Sequence, residues 1–97
     1  MFNKPEPENI QNILNRIIKQ FGWQEKSDFA IIINKWEDIL GEKMSKISKP
    51  NKLNDGILTI NVDSSVWRSE IFLHKEQIIE NINKLYGRIV VKDLIIR

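Results

Sequence analysis

The chain has 97 residues, of which 41% are hydrophobic and 29% charged, with a formal net charge of +2. This length predicts one domain with one modest core, too small for two lobes around a cleft. There is no cysteine, which excludes disulfides and thiolate metal sites. The sequence also has no apolar run near the ~20 residues of a membrane helix and no signal-peptide core, which predicts a cytoplasmic protein.

The first predicted element is an amphipathic helix that Gly22 terminates. The acid-rich segment "PEPEN" suits the start of a helix, and we expect residues 1–8 to be a flexible lead-in. We expect the helix to pack its apolar stripe against the rest of the domain. The stripe is Ile10, Ile13, Leu14, Ile17, Ile18 and Phe21, and the solvent side includes Asn12, Asn15 and Lys19.

A second helix is predicted from Ser27 to about Ile47, with Trp23 in the loop before it. Its apolar residues keep helical phase on both sides of Gly41, so we place this glycine inside the helix, at a cost of ~1 kcal/mol relative to alanine. Close approach of another backbone would explain the glycine. The apolar stripe is Phe29, Ile32, Ile33, Trp36, Leu40, Met44 and Ile47.

Two strands follow, because "SKPNKL" and "ILTINV" flank the turn residues Asn54, Asp55 and Gly56. The second strand alternates, which places one set of side chains in the core and the other outside. Pro50 and the polar residues of the first strand are typical of an edge strand with one face in water. The core set is Leu58, Ile60 and Val62, and the outer set is Thr59 and Asn61.

The third predicted helix begins at a cap formed by Ser64 or Ser65 and ends at Gly87. "RIVVKDLIIR" is a final strand, with Leu94 and Ile96 on its inner face. The order α-α-β-β-α-β predicts a two-layer α+β domain with a three-stranded sheet covered by helices. The helix's apolar stripe is Ile71, Ile78, Ile82 and Leu85, with Ile79 and Tyr86 beside it.

The residues expected of an enzyme are missing. His74 is the only histidine, and Glu70 four residues before it makes a pair without a third ligand. The two serines at the cap have neither a base nor a nucleophile elbow, and four scattered glycines cannot form a phosphate loop. We therefore expect no catalysis, cofactor, metal or small-molecule substrate.

Two features remain that could bind a partner. The segment "KMSKISKPNK" has four lysines and no acid, namely Lys43, Lys46, Lys49 and Lys52. These lysines either form a solvated face that protects the edge strand or contact nucleic-acid phosphates. Trp67 and Arg68 open the third helix, where the indole either closes the core or forms a half-exposed protein contact. Trp36, in mid-stripe, is expected in the core.

Four segments in this order resemble the DciA family of bacterial proteins: "NKWEDILGEKMSKISKP", "LNDGILTINVDSSVWRSEI", "QIIENIN" and "VKDLIIR". The resemblance covers about residues 28–97. It implies a KH-like fold and a non-enzymatic role in loading the replicative helicase DnaB onto DNA. Trp67 corresponds to the family's helix-opening tryptophan, and Lys49-Pro50 to its basic segment before proline.

Taken together, the residues and the resemblance predict that Trp67 and Arg68 contact the helicase. They predict DNA contacts for the four lysines, with Arg88 joining either surface. No two glycines lie three residues apart, so RNA binding through the GxxG loop of KH domains is not expected. Many family members carry a long polar tail beside the domain, which is not expected here, and the lysine patch carries only a small positive charge. We therefore expect this chain to bind exposed or single-stranded DNA with modest, salt-sensitive affinity. The alternative is a stand-alone KH-like nucleic-acid-binding module without a helicase partner.

Overall fold

A computed structural model describes residues 9–20 and 22–97, although the side chains of residues 18–20 are outside this description. The predicted lead-in and Phe21 also lie outside the described residues. The elements are α1 (Ile10–Gln20), α2 (Trp23–Asn34), α3 (Trp36–Leu40), α4 (Glu42–Lys46), β1 (Ser48–Asn54), β2 (Ile57–Val62), α5 (Ser65–Leu73), α6 (Lys75–Tyr86) and β3 (Asp93–Ile96).

The three strands form one sheet in the order β1-β2-β3. β1 and β2 are antiparallel, as their short turn requires, and β2 and β3 are parallel, joined by a crossover through α5 and α6. This confirms the α+β class, the three strands and the edge position of β1.

The core lies between the helices and one face of the sheet. The strands contribute alternating side chains to it, because successive residues of a strand point to opposite faces. Each large apolar side chain that is fully buried contributes roughly 1.5–3 kcal/mol. The buried apolar residues are Ile32, Trp36, Ile39, Leu53, Leu58, Ile60, Val62, Ile71, Ile78, Ile82, Val90, Val91 and Leu94.

The hairpin turn matches its sequence prediction. Asp55 and Gly56 both have positive φ, 53° and 82°, which is the pattern of the tight turn that fits the twist of two antiparallel strands. The side chain of Lys92 would lie 3.1 Å from a Cβ at Gly56, so both conformation and space require glycine there. The Gly56 amide donates to the Glu25 carboxylate at 2.9 Å, which ties the turn to α2.

The prediction of one helix through Gly41 is wrong. The chain turns at Lys35, and Gly41 has φ 91° and ψ 163°, so three short helices replace one. No atom lies within 4 Å of a Cβ built at Gly41, so its conformation rather than a close approach requires the glycine. α2 also begins earlier than predicted and includes Trp23. Trp36 is buried, as predicted, and its indole N–H lies 3.2 Å from the carbonyl oxygen of Ser48.

The third predicted helix is also two helices, because His74 (φ −101°, ψ 13°) separates α5 from α6. Leu85 is exposed, contrary to the prediction, and Tyr86 packs against the core instead. Ile33 is exposed too, while Ile39, absent from the predicted stripe, is buried. The prediction that α1 packs its apolar stripe against the domain is wrong for Ile10, Ile13 and Leu14, which are exposed.

Asn83 on α6 holds the segment that leads into β3. Its Oδ1 accepts the amides of Val90 and Val91 at 2.8 and 2.9 Å, and its Nδ2 donates to the Val91 carbonyl at 3.0 Å. These contacts satisfy backbone groups of two buried residues outside any strand. The predicted final strand is therefore limited to Asp93–Ile96, and Leu94 is buried as predicted.

Candidate functional site

Two hydrogen bonds fix the corner where β2 meets α5. The hydroxyl of Ser64 accepts the backbone amide of Trp67 at 3.4 Å, which confirms the predicted N-cap. Arg68 donates from Nη1 to the carbonyl oxygen of Val62 at 2.6 Å. The guanidinium of Arg68 thus braces the end of β2, and its contact with a partner stays a prediction.

Trp67 is half-buried, with contacts to the core, and it also lines a groove of about 410 Å³ between α5 and the α3–α4 turn. Leu40, Met44 and Val66 form the apolar part of the groove, and three charged side chains lie at its rim. One side of the indole packs while another part faces the groove, so Trp67 closes the core and is half-exposed, and its contact with a protein partner stays a prediction. The rim residues are Glu42, Lys43 and Glu70.

Lys43 lies at this groove rather than on the sheet. Its Nζ is 5.9 Å from the centroid of the Trp67 ring. A cation over an exposed aromatic face is stabilised by about 0.5–1 kcal/mol, so the contact is easily exchanged for another.

The outward side of α5 carries large apolar side chains that sequence reasoning missed. Val66, Phe72 and Leu73 are 74%, 61% and 76% exposed. A second groove, of about 340 Å³, runs from Phe72 and Leu73 to Ile96. The sequence clue was that α5 holds more apolar residues than one buried stripe accommodates. We call Val66, Trp67, Phe72 and Leu73 the α5 surface.

The four lysines do not form one patch. Lys46 pairs with Glu42 at 3.2 Å on α4, while Lys43 lies over Trp67. Lys49 and Lys52 are exposed on β1, the edge strand. The lysines thus divide between the groove side of the molecule and the sheet.

Arg88 is engaged in an ion pair inside the domain. Its Nη2 lies 2.8 Å from Oδ1 of Asp28, a buried carboxylate that also accepts the Gln24 amide at 3.2 Å. The Tyr86 hydroxyl donates to the Asp28 carbonyl at 2.5 Å. Burial raises the pKa of Tyr86, and the charge of Asp28 adds to this while Arg88 opposes it. Nucleic-acid contact by Arg88 stays a prediction.

We expect Arg88→Met to lower the free energy of unfolding by about 1–2 kcal/mol, because it leaves a buried carboxylate without its cation. The expected loss of stability is moderate because the Arg88 side chain is 47% exposed. Urea unfolding at neutral pH measures it. Lys84→Met, an exposed charge loss on the neighbouring helix, should change stability by less than 0.5 kcal/mol. Equal effects of the two substitutions would contradict a structural role for Arg88.

Within residues 9–20 and 22–97, no three histidine, aspartate or glutamate side chains are grouped as metal ligands. His74 lies 3.5 Å from Glu70, the pair noted in the sequence. Among the described helices, none has the length and apolar character needed to cross a bilayer. The described residues do present two exposed surfaces, one apolar on α5 and one on the sheet that carries Lys49 and Lys52.

Residues 9–96 match the family model described as "Dna[CI] antecedent, DciA". The chain belongs to the DciA family. This confirms the resemblance carried by the hairpin and the Trp67 helix. DciA proteins are the non-catalytic loaders of the DnaB helicase in bacteria, so membership also confirms the prediction that the domain is not an enzyme and agrees with the KH-like α+β fold.

Bacterial relatives in the curated set carry the name UPF0232 protein. One from Rhodococcus jostii is 31% identical over 89 residues, covering 92% of this chain and 47% of the relative. Proteins of Mycobacterium tuberculosis and Mycolicibacterium smegmatis are 23% and 24% identical over the same length, with 48% and 46% of each relative covered. The chain spans about half the length of the curated relatives it matches.

Proposed function

We propose that this DciA domain binds the replicative helicase DnaB through the α5 surface and assists its loading onto DNA. The observation that carries the proposal is the apolar side of α5, where three large side chains are 61–76% exposed beside the half-buried Trp67. An apolar surface of this kind on a small domain is typical of a protein-binding site.

The composition and rigidity of the α5 surface support a protein partner. Tryptophan is among the residues most enriched at binding hot spots, and a groove next to Trp67 can receive an apolar side chain. The Ser64 cap and the Arg68–Val62 contact hold the start of α5 in place. A surface that is ordered before binding loses less conformational entropy when the partner docks.

The proposed mechanism is stoichiometric. The domain binds the helicase, favours the conformation that admits DNA, and is then released. A ligand shifts an equilibrium only by its difference in affinity for the two states, so binding energy is the source of the effect and no hydrolysis is needed.

The second part of the proposal is contact with exposed DNA through Lys43, Lys46, Lys49 and Lys52. The lysines are exposed, and lysine meets phosphates as a point charge without sequence preference. A few such contacts predict modest affinity that falls as salt rises. A stand-alone nucleic-acid-binding module is the competing function, and it predicts no helicase affinity at all.

The test is calorimetric titration of the domain into the replicative helicase of the same organism, with wild type beside Leu73→Ser. We expect binding in the micromolar range or tighter and a three- to tenfold loss for Leu73→Ser, about 1 kcal/mol. Ile89→Ser is the matched control, since Ile89 is 73% exposed but lies after α6. Absence of wild-type binding would remove the helicase as a direct partner. Equal losses of affinity for both variants would exclude the α5 surface as the helicase-binding site.

A further inference from the structure

We propose that single-stranded DNA binds the outer face of the sheet, on the side of the molecule opposite to the α5 surface. This open sheet face is defined by Lys49, Lys52, Asn61 and Arg97. The inference rests on the DNA-binding part of the proposed function. The proposed DNA site keeps Lys49 and Lys52 of the four lysines and adds Asn61 and Arg97. This location allows DNA and a protein partner to bind at the same time.

A β-bulge brings the two lysines of β1 to one face. In a regular strand, residues three positions apart point to opposite faces. Here Pro50 pairs with Ile60 but Lys52 pairs with Thr59, so the chain has an extra residue, Asn51, between them. The irregularity reverses the alternation, and Lys49 and Lys52 both lie on the outer face.

The neighbouring strands extend this cationic face. Lys49 lies opposite Asn61, and Arg97 lies beside Asn61 on the other side, because its backbone bonds to Val62 and Ile60 at 2.7 and 2.9 Å. Strands are ~4.8 Å apart, so this row of three donors is ~10 Å wide. The row contains no acid. On the same face, Asp93 lies at the opposite end of β3 and pairs with Lys75 at 2.6 Å.

The four defining side chains of this face are exposed to a ligand, around Thr59, which lies on the same face and is buried. Within the described part of the chain, none of the four defining residues makes a side-chain hydrogen bond or ion pair. The cations elsewhere that were considered for DNA are engaged, with Lys46 on Glu42, Arg88 on Asp28 and Lys43 over an indole. A phosphate that meets Lys49, Lys52 or Arg97 displaces water but breaks no protein contact, so the Coulomb gain is not offset by a lost pair.

The form of the surface favours one DNA strand and its backbone. Duplex DNA is read by an element that enters a groove, whereas this face is a sheet only three strands wide. Ile57 and Ile95, each 38% exposed, lie on the same face and can meet unstacked bases. The strands carry no aromatic side chain on this face for base stacking, so the contact is with phosphates and tolerates any sequence.

The two surfaces are separated by the core. α5 packs on the inner face of the sheet through Ile71, which is fully buried among the strand residues, while Phe72 and Leu73 point away from it. The open sheet face is on the other side of the strands. A protein bound to α5 therefore leaves Lys49 and Lys52 of β1, at the far edge of the sheet, uncovered, whereas Arg97 follows Ile96, which lines the groove of Phe72 and Leu73.

The test is fluorescence anisotropy of a labelled dT20 oligonucleotide with the domain, as a function of salt. The double variant Lys49→Met/Lys52→Met should bind at least tenfold more weakly than wild type at low salt. Its log–log salt slope should be smaller by ~1.4, because each lost single-strand phosphate contact removes ~0.7. The control pair Lys35→Met/Lys84→Met removes the same charge from the end of α2 and from α6 and should change affinity less than threefold.

Each part of the proposal can fail separately. No binding of dT20 by wild type at low salt would overturn this inference and the DNA part of the proposed function, while the helicase titration would stand. Equal losses for the two double variants would overturn the open sheet face alone. Trp67→Ala should leave dT20 affinity within twofold, and a larger loss would contradict the opposite placement. Tenfold tighter binding of rU20 than dT20 would overturn the choice of DNA.

Discussion

Trp67→Ala is expected to weaken binding to the replicative helicase at least tenfold, about 1.4 kcal/mol. The substitution removes the largest side chain of the α5 surface and one wall of the groove that Leu40, Met44 and Val66 also line. A partner side chain that enters this groove would lose its aromatic contact, and truncated tryptophans are among the costliest losses at interfaces. Calorimetric titration against the helicase measures the effect.

Because Trp67 is half-buried, the same variant also loses contacts with the core, and its fold must be verified by thermal unfolding. Trp67→Phe keeps an aromatic ring there and should retain most of the affinity. Trp23→Ala removes an exposed indole from α2 and should leave helicase binding within twofold. If the two alanine variants bind alike, Trp67 is a core residue and not a contact.

Asn83→Ala should lower the free energy of unfolding by about 3 kcal/mol. The side chain satisfies the amides of Val90 and Val91 and the Val91 carbonyl, and both valines are buried. Each buried polar group left without a partner costs about 1–3 kcal/mol. Urea unfolding followed by circular dichroism measures the loss.

The matched control for this prediction is Asn81→Ala. Asn81, on the same helix, accepts only the exposed amide of Gln77 at 2.9 Å, so its loss should cost less than 0.5 kcal/mol. Asn83→Asp retains the acceptor for both valine amides and should be less damaging than alanine. A change below 1 kcal/mol for Asn83→Ala would show that water replaces the side chain and that the segment before β3 is held by its apolar contacts.

The local features of the fold could be read from the sequence because each depends on residues close in the chain. The positive φ of Asp55 and Gly56 makes the hairpin turn, Ser64 caps α5, and alternation places Leu58, Ile60 and Val62 in the core. Order and spacing of the segments around Trp67 were sufficient to identify the family. For the site, the sequence singled out Trp67 and left its exposure open.

The helix breaks at Gly41 and His74 were not predicted because the periodicity of apolar residues does not reveal them. Apolar residues on both sides of Gly41 stay in contact with the core although the backbone between α3 and α4 is not helical, so the stripe keeps its phase through a turn. His74 is a similar case between α5 and α6. A stripe records which side chains meet the core, and several short helices can present the same stripe as one long helix.

The sequence alone thus determined the fold class, the hairpin, the edge strand and the family, since local propensity and side-chain period encode them. Tertiary structure alone decided which charged and apolar residues are available to partners. Arg88 meets Asp28 across 60 positions, one extra residue at Asn51 turns Lys52 to the face of Lys49, and none of the described elements buries Phe72. Contacts between distant segments and strand register depend on how whole elements pack, and no local pattern contains that information.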